Sequence, residues 1–205
     1  MLRIAHRILT LEQVAMLAPT TPIEFDVRDS GGRLLVTHDP FTTGIDLEEF
    51  LPAVKGRFLI VNVKSEGIEY RILDLLKANS IESFFFLDCS IPMMKSLSAA
   101  GETRLAIRYS ELESLDTVFK WRGRAQWVWV DCFYSCWITG DDIRHLQSQG
   151  FKVCLVSPEL QGRPHEIHPF AHRILETPPD AVCCKLDFFS KWWTAYASPQ
   201  GNSAV

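Results

Sequence analysis

The chain has 205 residues, 47% of them hydrophobic and 22% charged, with a formal net charge of −4. That length suits one sizeable core, the charged share is ordinary for a globular protein, and the balance excludes a basic nucleic-acid footprint. No apolar run is long enough for a bilayer span, and no charged-then-apolar leader opens the chain, so the reading is a cytoplasmic protein without stable membrane insertion.

Short apolar runs recur along the sequence at Arg3–His6, Ile23–Val27, Phe58–Val63, Phe84–Leu87, Arg104–Ile107, Trp127–Val130, Lys152–Val156 and Ala181–Lys185. Each reads as a strand, and Leu34–Thr37 reads as the return arm of a turn at Ser30-Gly31-Gly32. Helix-like segments lie between them. Thr10-x-x-Gln13, Asp46-x-x-Glu49 and Ser110-x-x-Glu113 resemble capped helix starts. Ile68, Ile72, Leu75 and Leu76 share a helical face, with Asn79 as its stop, and Gly101 and Gly150 end later helices. Ile167, Phe170, Ala171, Ile174 and Leu175 form a further amphipathic segment before Pro178-Pro179. Strands with continuous apolar character alternating with helices about eight times predict a parallel sheet closed into a compact (β/α)₈ barrel. The barrel is expected over residues 1–197, with 198–205 as a flexible tail.

Polar residues collect where these strands end: His6-Arg7, Glu24/Asp26, Asn62/Lys64, Asp88/Ser90, Arg108/Ser110/Glu111, Asp131, Ser157/Glu159 and Lys185/Asp187. In a parallel barrel all of those ends converge on one rim, where active sites of this architecture are built. The densest part is Ile23 to Asp39. Glu24 and Asp26 alternate with Ile23, Phe25 and Val27, so both carboxylates project to one face, and the turn that follows returns the chain to His38. Acids alternating on a strand are ordinarily a solvated face; here two histidines, an arginine and a lysine accompany them.

Phosphodiester cleavage needs a base, an acid for the leaving oxygen and positive charge on the phosphoryl oxygens. Two histidines can serve as base and acid, a hard cation held by carboxylates polarises the phosphoryl group, and arginine and lysine clamp its charge. His6, His38, Glu24, Asp26, Arg7 and Lys64 are the residues of those types. Together Ile4-Ala-His6-Arg7, Ile23-Glu-Phe-Asp26-Val and Val36-Thr-His38-Asp39 resemble the glycerophosphodiester phosphodiesterase family, a branch of the phosphatidylinositol-phospholipase-C-like barrels. The likeness is specific over residues 1 to about 66 and topological beyond. It implies His6 and His38 as acid and base, Arg7 and Lys64 as phosphate contacts, and Glu24, Asp26 and Asn62 around a divalent cation, Mg²⁺ or Ca²⁺. A substrate hydroxyl beside the phosphate would attack first, giving a cyclic phosphate.

Later segments, such as Phe84-Phe-Phe-Leu-Asp88-Cys and Trp129-Val-Asp131-Cys, are similar to a short branch of the same barrels, which implies Asp88, Arg108, Asp131 and Glu159 along the rim, where Lys185 falls by its place at a strand end. Ile8 stands where the family has glycine after His-Arg, and Asn62 replaces an acidic ligand. An amide brings no charge, so the ion is weak or absent unless Asp88 or Asp131 compensates, and Lys64 is the alternative neutraliser of the carboxylates.

The expected activity is hydrolysis of a small glycerophosphodiester or sugar phosphodiester. The alternatives are a non-catalytic barrel binding a phosphorylated sugar or glycan precursor, and a lyase that stops at the cyclic phosphate. Nothing in the sequence specifies an oligomeric state. Cys89, Cys132, Cys136, Cys154, Cys183 and Cys184 lack zinc-site spacing and read as structural thiols. Trp127, Trp129, Trp137, Trp192 and Trp193 read as packing, and His165, His168 and His172 as part of a surface helix.

Overall fold

The structure, a computed structural model, describes residues 1–197; the expected tail at 198–205 lies outside the described residues. Eight parallel strands carry the architecture, with a short antiparallel extension. β1 (Leu2–Ala5) leads through α1 (Leu11–Ala15) to β2 (Ile23–Ser30), which turns into β3 (Arg33–Val36) and then β4 (Ile45–Asp46) before α2 (Leu47–Val54). The alternation continues through β5 (Leu59–Val63), α3 (Glu69–Ala78), β6 (Phe84–Leu87), α4 (Ile91–Ala99), β7 (Ala106–Tyr109) and α5 (Leu115–Phe119). It closes with β8 (Trp127–Val130), α6 (Gly140–Ser148), β9 (Lys152–Val156), α7 (Ile167–Arg173), β10 (Ala181–Cys184) and α8 (Phe189–Ala197).

Regular parallel ladders run from β6 through β5, β2, β1, β10, β9 and β8 to β7. The two ends of that run meet at one parallel bridge, Phe86 with Leu105, and the Phe86 N–H donates to the Arg104 carbonyl at 2.8 Å. The result is the expected TIM-barrel-like α/β fold, with single-pair seams between β6 and β7 and between β1 and β2. β3 pairs antiparallel with the outer half of β2, from Val27–Val36 to Ser30–Arg33, and this hairpin carries His38 back toward the strand ends.

Burial on both faces explains why the strands read as continuous apolar runs. One set of alternate residues (Phe25, Val61, Phe86, Val128, Leu155, Val182) packs outward against the helices, whose apolar faces complete the larger core. The other set (Ile4, Ile60, Phe85, Trp127, Cys154, Cys183) fills the barrel interior. Phe58, Phe85 and Trp127 form its floor, with ring centroids 4.8 to 5.9 Å apart. Each large side chain buried this way contributes roughly 1.5–3 kcal/mol. Above that floor the inward positions of the same strands turn polar, and the site begins there.

Thr10 caps α1 with a full capping box to Gln13, and Asp46 caps α2 through the Glu48 N–H. Gly101 and Gly150 follow α4 and α6 with φ of 90° and 87°, the left-handed stop that glycine takes without a Cβ clash. Ser110 does not start a helix. Its hydroxyl bonds the Glu113 carboxylate in a tight turn, and α5 begins later, capped by Ser114 onto the Thr117 N–H. β7 is also displaced by two residues from the Arg104 start that the sequence suggested, because Arg104 is held by Glu102 below the strand. Trp127, Trp129 and Trp192 are buried, whereas His165, His168 and His172 are exposed on and before α7, and all six cysteines are free thiols. The side chain of Trp193 lies outside the described residues.

Candidate active site

The end of β1 supplies His6 and Arg7. Arg7 sits in the left-handed region at φ 57°, a conformation that costs a non-glycine residue about 1 kcal/mol or more. The turn aims its backbone N–H at Glu24, donating to Oε2 at 2.7 Å, and His6 Nε2 faces the same oxygen at 3.8 Å. Burial, and then the neighbouring Arg7 charge, push the His6 imidazole down to about 4, so at neutral pH it is uncharged. An uncharged imidazole can accept a proton.

Glu24 and Asp26 lie two residues apart on the inward face of β2, each 1% exposed. Asp26 pairs in register with Asn62 on β5, and Asn62 Nδ2 donates to Glu24 Oε1 at 3.0 Å. Both Glu24 oxygens are thereby engaged. Asp26 differs: among the described residues no group donates a hydrogen bond to either of its oxygens, nor to Asn62 Oδ1. Its nearest charges are Lys64 Nζ, 3.6 Å from Oδ1, and Arg7 Nε, 3.8 Å from Oδ2. Desolvation raises both carboxyls, and the adjacent Glu24 charge adds to the effect on Asp26, which reaches about 6.

His38 follows β3, half-buried, with Nδ1 2.7 Å from Asp39 Oδ1. Its charge bears on both His6 and Asp26, which puts it on their side of the barrel. Arg28 on β2 stitches this edge together, donating from Nε to the His38 carbonyl at 2.7 Å and from a terminal nitrogen to the Lys64 carbonyl at 3.0 Å.

Across the barrel the charges form a continuous chain. Lys64 Nζ donates to Asp88 Oδ2 at 2.9 Å, Arg108 bonds both Asp88 and Asp131, and Trp129 Nε1 donates to Asp131 Oδ2 at 3.1 Å. Asp88 is the second left-handed non-glycine on the rim, at φ 61°. Its burial works to raise the carboxyl, but Arg108 and Lys64 outweigh that and hold it below the usual range. The structure thus brings together His6, Arg7, Glu24, Asp26, His38, Asn62, Lys64, Asp88, Arg108 and Asp131. Glu159 stands apart in role: it is buried, bonded to the Ser157 hydroxyl and to the Lys185 N–H at 3.0 Å, and braces the β9 and β10 ends. Lys185 itself is exposed, and its charge reaches His6. Glu111 is likewise a brace, accepting the N–H groups of Phe133, Tyr134 and Ser135 at 3.0 to 3.2 Å.

Sequence reasoning missed Arg28, Trp129 and Asp39 as partners of the site. Asp39 directly follows His38 and could have been named. Arg28 acts on backbone carbonyls, which no sequence pattern announces.

The expected divalent cation can be tested against these donors. Calcium and magnesium take six or more oxygens, several of them charged. Both Glu24 oxygens are taken, Asp88 and Asp131 are tied to Lys64 and Arg108, and each Asp26 oxygen already faces a cationic side chain. Among the described residues, no group of three or more His, Cys, Asp or Glu is placed to hold a metal ion. With Asp88 and Asp131 committed to Lys64 and Arg108, the oxygens of this site without a hydrogen-bond donor among the described residues are the two of Asp26 and Asn62 Oδ1, one carboxylate and one neutral amide, short of the charged set that a dedicated Mg²⁺ or Ca²⁺ site presents.

No family model matches the chain, and no curated protein does. Solved structures do. A glycerophosphodiester phosphodiesterase from Agrobacterium tumefaciens superposes with a TM-score of 0.67 at 15% identity, over 96% of this chain and 99% of that one. A second structure from the same organism, described as a putative glycerophosphoryl diester phosphodiesterase, gives 0.68 at 14% identity over 96% and 98%. The chain has the fold of these phosphodiesterases along nearly its whole length. Among the described residues no helix is long and apolar enough to cross a membrane.

Proposed function

We propose that the chain is a phosphodiesterase acting on a small glycerophosphodiester or sugar phosphodiester. The observation that carries the reading is the convergence of His6, Arg7 and Lys64 on Glu24 and Asp26 at the strand ends of one barrel, with the β3 hairpin returning His38 to the same side. The likeness in fold to glycerophosphodiester phosphodiesterases supports it.

In the proposed reaction a substrate hydroxyl adjacent to the phosphate attacks phosphorus and passes its proton to His6. The bond to the leaving alkoxide breaks as His38 protonates that oxygen. Arg7 and Lys64 hold the phosphoryl oxygens, whose negative charge grows in the transition state. Asp39 on Nδ1 orients the His38 ring with its other nitrogen free, and Glu24 lies beside His6 to steady the imidazolium that forms. Water then opens the cyclic phosphate with the two histidines exchanging roles. Holding nucleophile and phosphorus in one molecule makes the first step efficient.

The test is a panel of glycerophosphodiesters and sugar phosphodiesters followed by phosphorus NMR. Hydrolysis with a transient cyclic phosphate supports the reading, accumulation of the cyclic product identifies a lyase, and an inert protein that binds phosphorylated sugars identifies a binding barrel.

A further inference from the structure

We infer that Lys64 supplies the positive charge of this site from within the chain, and that Asn62 is the substitution that makes a divalent ion unnecessary. Asn62 Nδ2 donates to Glu24 Oε1, an arrangement closed to a carboxylate, which would face Glu24 with like charge at the same distance. With aspartate or glutamate here, three buried acids would meet at the barrel mouth and call for a further cation. With asparagine, only Glu24 and Asp26 remain, and Glu24 is satisfied by Asn62 and the Arg7 N–H.

Asp26 is then the one acid left, and Lys64 and Arg7 stand on its two sides. Lys64 spans the barrel between Asp26 at 3.6 Å and Asp88 at 2.9 Å, and Asp88 shares Arg108 with Asp131. A divalent ion beside Asp26 would have to displace the ammonium or sit against it. The Lys64 ammonium has three donors and, bonded to Asp88, keeps others for a phosphoryl oxygen. The role of that charge in catalysis rests on the phosphodiesterase reading; the exclusion of the metal does not.

Calorimetric titration of the purified full chain with CaCl₂ and with MgCl₂ tests it, with thermal melting as a second readout. The wild type is expected to show no saturable binding into the millimolar range, and a melting temperature unmoved by either ion or by EDTA. The double variant Asn62→Asp with Lys64→Met, which adds a carboxylate and removes the ammonium, is expected to acquire saturable binding and an ion-dependent rise in melting temperature. Saturable wild-type binding that Asp26→Asn abolishes would overturn the inference, as would a folded double variant that gains no affinity. If the double variant does not fold without ions, the wild-type titration still decides. EDTA-insensitive turnover of a phosphodiester adds support, and turnover that requires added Ca²⁺ or Mg²⁺ counts against it. An inert protein that also ignores metals would sink the proposed function and leave this inference standing.

Discussion

The two halves of the barrel rim both set acids against cations and end in opposite electrostatic states. On the β6–β8 side, Asp88, Arg108 and Asp131 satisfy one another and Trp129 fixes the last carboxylate. On the β1–β2–β5 side, Asp26 has no hydrogen-bond donor among the described residues, Arg7 is held in a strained turn, and His6 and both acids are displaced from their ordinary pKa values. Groups that are fully paired stabilise a fold and offer little to a ligand, while buried groups held short of partners store the cost that a ligand can relieve. Substitutions in the first half should therefore register in stability, and those in the second in turnover.

The histidines break the comparison most sharply. His6→Ala and His38→Ala should each lower turnover by about 10²–10⁴-fold, with melting temperatures near wild type, measured on whichever phosphodiester the panel identifies. On the paired half, Arg108→Met leaves Asp88 to Lys64 and the buried Asp131 to the neutral Trp129 N–H, without a cation, and should cost roughly 3 kcal/mol in urea unfolding.

Asp26→Asn should do the reverse. The carboxyl is raised from 3.8 to about 6, so the folded chain binds its proton more tightly than the unfolded chain does. Stability from this group is full below pH 4 and is lost as pH rises through 6, leaving a cost of roughly 3 kcal/mol at pH 8. The asparagine variant should melt several degrees higher than wild type at pH 8, with the gain shrinking toward pH 4, while losing turnover. The smallest expected effect controls for the fold alone: Ser114→Ala removes the α5 cap and should cost about 1 kcal/mol without changing the pH dependence.

The barrel was legible because eight apolar runs with polar ends call for a parallel sheet covered by helices, the first strand lacks the glycine-rich turn of a doubly wound sheet, and the strands at Phe84–Leu87, Trp127–Val130 and Lys152–Val156 fall where those runs do. The convergence of His6, Glu24, Asp26, Lys64, Asp88, Arg108 and Asp131 followed from the same rule. What the pattern did not carry was which polar residue pairs with which. Glu159 looked like its neighbours yet serves Ser157 and a backbone N–H, since a strand-end acid can turn to the loop as easily as to the barrel mouth. Ser110 looked like a helix cap, but Glu113 reached it first. The orientation of the Asn62 amide depends on the register of β5 against β2, a non-local fact that no stretch of sequence contains.

The most direct measurement is phosphorus NMR of a glycerophosphodiester incubated with wild-type protein and, in parallel, with His6→Ala. The account predicts conversion to the phosphomonoester by the wild type and none above background by the variant. A wild type that leaves every phosphodiester of the panel intact, or a His6→Ala protein that turns substrate over as fast as the wild type, would contradict it.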